Sequence, residues 1–288
     1  MKAQKTENGI TVLQADCFNP RDILECGQIF RFDRDGEGNY RVFSLDKYAE
    51  IKKTNDGYFI STDSPDYFYD FFDLDRDYGV ICEKLSSSYD VMKRAVEFGR
   101  GIRILRQNLE EMIFSFIISA NNNIKRIQLI IGRICEALGE KTPFGYAFPS
   151  VKKLAEVSSP DFYFRLGAGD RAPYIYETAN ALKEGFELDR LKELDSVKAR
   201  KALLDLKGVG AKVADCIMLF GLNRFDVFPV DTWVKKVYHR YFETGLKDSE
   251  ISTFFVDTFG DLSGFAQQYL FYFQAIRQIP TGKRRKIV

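Results

Sequence analysis

The chain is poor in the residues on which much metal and nucleophilic chemistry depends. It has one histidine, His239, among 288 residues. A site with several histidine ligands is therefore excluded, and a Ser-His-Asp triad could use only that ring. Its five cysteines, Cys17, Cys26, Cys82, Cys135 and Cys216, form no C-x-x-C pair and no tight cluster. An odd, scattered set of thiols points to a reduced intracellular protein without a zinc ribbon or a disulfide framework. Long apolar runs are missing too. The longest, residues 112–120, is far short of the roughly 20 residues a membrane span needs, and the opening MKAQKTENGITVLQ carries no apolar signal core. Tryptophan occurs once, at Trp233.

Other aromatic residues are plentiful: 26 Phe and 15 Tyr, in a chain 45% hydrophobic and 29% charged. That composition supports a large core and excludes a disordered chain, and the length fits about two domains. The 42 basic and 41 acidic side chains nearly balance, but residues 1–90 hold 11 basic against 18 acidic, leaving 31 and 23 in the remainder. An acidic first third and a basic remainder direct a polyanion to the second part, although uneven solvation gives the same pattern.

The first ~65 residues read as strands and turns. Residues 40–45 (YRVFSL) and 58–62 (YFIST) are short aromatic and β-branched segments, each preceded by Asp-Gly or Gly-Asn turn chemistry. From Pro65 onward the spacing becomes helical, and after about residue 90 nearly everything is. Residues 124–138 repeat apolar side chains at three and four, with Gly139 as a stop. Further helices are expected over 196–206, 211–220, 231–241 and 264–278. The tail Lys283–Lys286 reads most simply as a solvated terminus.

The most informative segment joins two of these helices through Lys207-Gly208-Val209-Gly210. Two glycines at a spacing of two allow a tight turn and expose successive N–H groups at the next helix's N-terminus. Such an array grips a phosphate without reading sequence. Lys212 stands two residues beyond Gly210, and Asp231 follows Pro229-Val230 at the head of another helix. Separately, Asp231 would be an ordinary N-cap and Lys212 a solvated cation. Together they place an amine and a carboxylate on one side of a phosphate-holding hairpin.

These residues resemble the helix-hairpin-helix/GPD superfamily of base-excision DNA glycosylases and, over almost the full chain, its 8-oxoguanine DNA glycosylase branch. Three further segments match that branch in order. They are Gly27-Gln28-Ile29-Phe30-Arg31, then Asn121-Asn122-Asn123-Ile124 with Arg126, then Gly264-Phe265-Ala266-Gln267 with Phe271. The resemblance implies an α+β chain. An antiparallel sheet domain of TATA-binding-protein-like topology (residues 1–95) would precede an all-helical helix-hairpin-helix glycosylase domain (residues 96–288).

It also implies the chemistry. The target nucleotide is extruded from the duplex at a cost of a few kcal/mol. Lys212, as a neutral amine, attacks C1′, displaces the base and forms a Schiff base that permits strand cleavage, while Asp231 stabilises positive charge developing on the sugar. The Gly27 carbonyl accepts the N7–H that distinguishes 8-oxoguanine from guanine. Phe271 and Cys216 sandwich the base and Gln267 bonds its Watson–Crick edge. Asn121 fills the vacated space, Arg126 and Arg171 bond the orphaned cytosine, and Gly208 and Gly210 hold the backbone. Alone, each of these has an ordinary reading: core aromatic, buried thiol, turn glycine, solvated amide or arginine.

Four positions depart from the family pattern. Asp170 stands where an aromatic wedge is frequent, Lys207 where proline is, Trp233 where eukaryotic relatives carry a phosphate-contacting His, and Phe220 where they carry Met. The wedge is then either missing or supplied elsewhere. No metal or other cofactor is needed, and the expected partner of this monomeric protein is duplex DNA containing oxidised guanine, in the cytoplasm or nucleoid if bacterial. Two other readings stay open: a non-catalytic hairpin module that only clamps DNA, and a glycosylase for alkylated or deaminated bases, whose members often lack the lysine.

Overall fold

Alternating buried and exposed side chains in the first 61 residues build a six-stranded antiparallel sheet. The computed structural model describes residues 1–242 and 245–277. The strands are β1 (Lys2–Thr6), β2 (Gly9–Leu13), β3 (Phe32–Arg34), β4 (Tyr40–Ser44), β5 (Lys47–Lys53) and β6 (Gly57–Ser61), with a short helix α1 (Pro20–Leu24) after β2. Their order across the sheet is β1-β2-β6-β5-β4-β3. The two expected strands are β4 and β6, each within a residue of the reading. β1, by contrast, carries no legible alternation: KAQKT is almost wholly exposed and is held by its pairing with β2. The inner face, with Ile10, Val12, Val42, Ile51 and Ile60, packs against Phe68 and its neighbours in α2 (Pro65–Phe71). Pro65 at the head of α2 marks the switch from strand to helix, where a fixed φ and a missing N–H cost nothing.

Helices make up most of the remaining chain: α3 (Tyr78–Ser86), α4 (Asp90–Phe98), α5 (Leu109–Ser119) and α6 (Ile124–Leu138). After a small hairpin come α7 (Val151–Ala155), α8 (Asp161–Arg165), α9 (Ala172–Lys183) and α10 (Leu188–Glu193). The chain continues through α11 (Ser196–Leu204), α12 (Ala211–Gly221), α13 (Thr232–Tyr241), α14 (Ile251–Phe259) and α15 (Ser263–Arg277). They share a second core in which α5 lies on α12, and α4 and α13 lie on α15. Gly139 ends α6, as its position suggested. None of these helices is long and apolar enough to cross a membrane. The segment Lys283–Lys286 and the final residue expected for α15, Gln278, lie outside the described residues.

The hairpin, β7 (Lys141–Thr142) with β8 (Gly145–Tyr146), interrupts a domain expected to be all-helical. Tertiary contacts explain it. Phe144 at its tip stacks on Tyr48 of β5, with centroids 4.0 Å apart and rings 10° from parallel, and Phe148 N–H donates to the Leu45 carbonyl at 3.0 Å. Arg31 completes the joint. Its guanidinium pairs with buried Glu111 of α5 at 3.3 Å and donates to the Tyr146 carbonyl at 2.8 Å.

The deepest tie between sheet and helices is Arg103, which is fully buried. Its guanidinium donates to the backbone carbonyls of Phe72 (3.0 Å), Cys17 (3.1 Å), Arg76 (2.9 Å) and Asp73, and lies 4.0 Å from the ring centroid of Tyr78. A buried charge is tolerable there because its donors meet aligned carbonyls. Arg103→Met removes every donor and leaves the carbonyls dry. It is expected to lower unfolding free energy by about 3 kcal/mol or more, read from the denaturant midpoint.

Candidate active site

The helix-hairpin-helix is formed by α11, the turn 205–210 and α12. Asp195 caps α11 by accepting from Lys198 N–H at 2.8 Å. Arg200 of α11 pairs with buried Asp215 of α12 at 2.6 Å, fixing the two helices to each other. In the turn, Gly208 has φ +80°, and a β-carbon there would fall 2.6 Å from Cβ of Tyr174 on α9. Conformation and space both demand glycine. Gly210 differs: φ is −88°, and a β-carbon would meet nothing within 4 Å. The protein itself does not require glycine at this position. Gly210 is the N-cap of α12 and supplies no side-chain acceptor, so no side-chain cap satisfies the first N–H groups of α12.

Lys212 is the second residue of α12. Its ammonium lies 5.5 Å from the ring centroid of Phe116 on α5. Phe116 stacks on Phe220 (5.4 Å, 13°) and meets Phe30 edge-on (5.6 Å, 72°), so an aromatic row runs from Lys212 to the segment containing Gly27. One turn beyond Lys212, the buried Cys216 thiol is pushed up to about 11 by desolvation, which the neighbouring Lys212 charge partly opposes. Asp231 caps α13 through Oδ1, which accepts from Trp233 N–H at 3.0 Å and Val234 N–H at 2.9 Å. Oδ2 takes no part in the cap. Burial raises the Asp231 pKa, while the Val234 N–H, the Lys212 charge and the Trp233 N–H resist that rise. The ordinary reading of Asp231 as a cap is thus realised, and both cap bonds end on one of its two oxygens.

The segments around Gly27 and Phe271 meet although they come from opposite ends of the chain. Gly27 has φ +82°, and a β-carbon there would lie 3.3 Å from Phe271 Cε1. One turn before Phe271 on α15, Gln267 is buried with Oε1 lacking any hydrogen-bond partner among the described residues. A dry acceptor of this kind is costly and is kept where something else completes it. The adjacent Gln268 donates to the Cys26 carbonyl at 2.8 Å, fastening α15 to the Gly27 segment.

A third group lies at the start of α6. Asn123 caps that helix through Arg126 N–H (3.0 Å) and Asn122 donates to the Ile118 carbonyl (3.1 Å). Asn121 alone of the three is exposed, with φ +50°. Arg171 Nε and Nη2 donate to the carbonyls of Ala120 (2.6 Å) and Asn121 (2.7 Å) and so hold this corner. Arg126 donates to the Gly167 carbonyl at 3.3 Å. Burial and, after it, the like charge of Arg126 lower the Arg171 pKa.

Two family models divide the chain between them. Residues 10–113 match the N-terminal domain of 8-oxoguanine DNA glycosylase, and residues 114–255 match the HhH-GPD superfamily of base excision DNA repair proteins. A probable N-glycosylase/DNA lyase of Methanothermobacter thermautotrophicus is 32% identical over 231 residues, 72% of each chain. The chain belongs to the 8-oxoguanine DNA glycosylase branch of the HhH-GPD superfamily. Among solved structures, the 8-oxoguanine glycosylase/lyase of Clostridium acetobutylicum, in complex with duplex DNA containing cytosine opposite 8-oxoguanine, superposes with a TM-score of 0.89. That match has 38% identity and covers 95% of this chain and 97% of that one. A 3-methyladenine DNA glycosylase from Archaeoglobus fulgidus shares the fold at 14% identity, with a TM-score of 0.71.

Within this glycosylase scaffold, Trp233 sits beside Asp231 with the Lys236 ammonium 4.3 Å from its ring centroid, and Asp170 is exposed in a 3-10 turn beside Arg171. Sequence reasoning missed Phe116 behind Lys212, the Arg200–Asp215 pair, and the glutamines that hold the Gly27 segment. Of these only Gln28 lay inside a quoted motif, and its neighbourhood to Gly27 was the one available signal.

Asp231 has its pKa raised in the folded state, so the folded protein binds that proton more tightly than the unfolded chain does. Its carboxylate is therefore a destabilising charge, with its full effect above the folded pKa and none below the unfolded one. Asp231→Asn, which keeps an acceptor for the cap, is expected to melt higher than wild type at pH 7, with the difference shrinking as pH falls below the carboxylate range. Gly208→Ala is expected to lose roughly 1–2 kcal/mol or more, while Gly210→Ala melts like wild type; differential scanning calorimetry reads both.

Proposed function

We propose that this chain removes 8-oxoguanine from duplex DNA and then cleaves the strand, with Lys212 as nucleophile and Asp231 as its electrostatic partner. The observation that carries the reading is the convergence of two helix N-termini. α12 presents Lys212 and α13 presents Asp231, and the Lys212 charge acts on the Asp231 carboxyl. Both stand beside an uncapped hairpin suited to a phosphate.

The steps follow from these groups. The N-terminus of α12 holds the backbone while the damaged nucleotide turns out of the stack. The neutral Lys212 amine attacks C1′ as the bond to the base nitrogen breaks, and the departing base takes up a proton. Positive charge on the sugar during that step is met by the Asp231 carboxylate, fixed in place by its two N–H donors. Opening of the sugar gives the Schiff base, from which loss of a C2′ proton expels the 3′ phosphate. The Gly27 carbonyl accepts the N7–H of the lesion and is repelled by the lone pair of guanine N7. Gln267 completes its empty oxygen on the Watson–Crick edge, Phe271 stacks on the base, and Cys216 packs against the other face. Asn121 occupies the vacated space, with Arg126 and Arg171 toward the orphaned cytosine.

The test is borohydride trapping on a duplex holding one 8-oxoguanine opposite cytosine. Wild type is expected to give a covalent adduct and Lys212→Gln none, while Asp231→Asn lowers the excision rate by roughly 10²–10³. Tight binding by wild type without an adduct would remove the lysine route and leave a water-using glycosylase or a plain DNA clamp.

A further inference from the structure

Distinguishing N7–H from a bare N7 asks the Gly27 carbonyl to stay fixed to within a fraction of an ångström, yet glycine is the residue whose peptides turn most easily. The carbonyl belongs to the peptide plane between Gly27 and Gln28, and no donor in the described residues reaches it. The planes on either side are pinned. The Cys26 carbonyl accepts from Gln268 Nε2 at 2.8 Å, and the Gln28 carbonyl accepts from Gln107 Nε2 at 2.8 Å. Gln28 is fully buried, and both ends of its side chain are used. Nε2 donates to the carbonyls of Ile23 (2.9 Å) and Arg103 (2.8 Å), and Oε1 accepts from Leu105 N–H (2.9 Å). Two buried carboxamides thus clamp the peptides flanking the reading carbonyl and a third anchors the Gln28 side chain, while that carbonyl itself is left open.

Gln268 has a second consequence. Its neighbour Gln267 and, one turn further, Phe271 stand on the same helix, so the bond from Gln268 to Cys26 sets how far that wall stands from Gly27. We propose that Gln268, with Gln28 and Gln107 behind it, is a positioning residue that sets discrimination between 8-oxoguanine and guanine by fixing the Gly27 carbonyl against α15. The proposal rests on the functional reading in which this carbonyl faces the extruded base. It assigns Gln268 no contact with DNA.

The experiment compares wild type, Gln268→Met and Gln268→Glu on three duplexes that are identical except at one position. That position carries 8-oxoguanine, guanine or an abasic site, each opposite cytosine. Met keeps the length and volume but cannot donate, and Glu keeps the shape but turns an acceptor toward the Cys26 carbonyl. Single-turnover excision gives the preference for 8-oxoguanine over guanine. Borohydride trapping at the abasic site reports Lys212 chemistry with no base in the pocket. Both variants are expected to lose about tenfold in preference, the scale of orphaning one buried acceptor, and to trap the abasic site at the wild-type rate. An unchanged preference would overturn the proposal. So would a proportional fall on all three duplexes, because that is the signature of a merely structural residue. If wild type itself shows no preference, the functional reading falls and the proposal falls with it.

Discussion

The buried guanidinium of Arg103 is the constraint on which the rest of the molecule depends. Its donors end on carbonyls from the loop after β2, from the end of α2 and from the loop before α3. Its own carbonyl then accepts from Gln28. A charge buried this way cannot be given up piecemeal, since every lost bond leaves a dry polar group behind. The sheet, the helical core and the Gly27 segment are therefore held as one unit, and the short chain from Arg103 through Gln28 carries that rigidity to Gly27.

The residues at two helix beginnings obey a different rule. Lys212 and Asp231 are both placed by helix beginnings, where backbone N–H groups remain unpaired by geometry. On α13 those donors are turned inward to fix a carboxylate, while on α12 no side chain caps them. One physical resource thus serves in two ways. The cost falls on Asp231, whose charge is less well solvated than it would be in the unfolded chain.

Much of this was legible in the residues. The pair of glycines, Lys212, Asp231 and the switch at Pro65 each state a local rule, and local rules survive in a single sequence. Distant partnerships do not. Nothing in Gln268 announces that its amide will meet the Cys26 carbonyl, and nothing in KAQKT announces a strand whose pairing is its main support. The hairpin at residues 141–146 was hidden for the same reason, because the ring that Phe144 stacks on lies in β5. The triple asparagine shows the boundary well. The run reads as an interruption, but which of the three is free depends on where Ile118 and Arg126 N–H stand.

The thiol beside Lys212 places the enzyme in its chemical surroundings. Oxidants attack thiolates far faster than thiols, and a cysteine held near 11 exposes only about one thiolate in ten thousand at neutral pH. 8-Oxoguanine accumulates when peroxide and related oxidants do. A more acidic sulfur at the same position would be converted to its oxyacids at the moment the lesion load rises. Burying Cys216 keeps the thiol beside Lys212 in the form that such oxidants attack slowly.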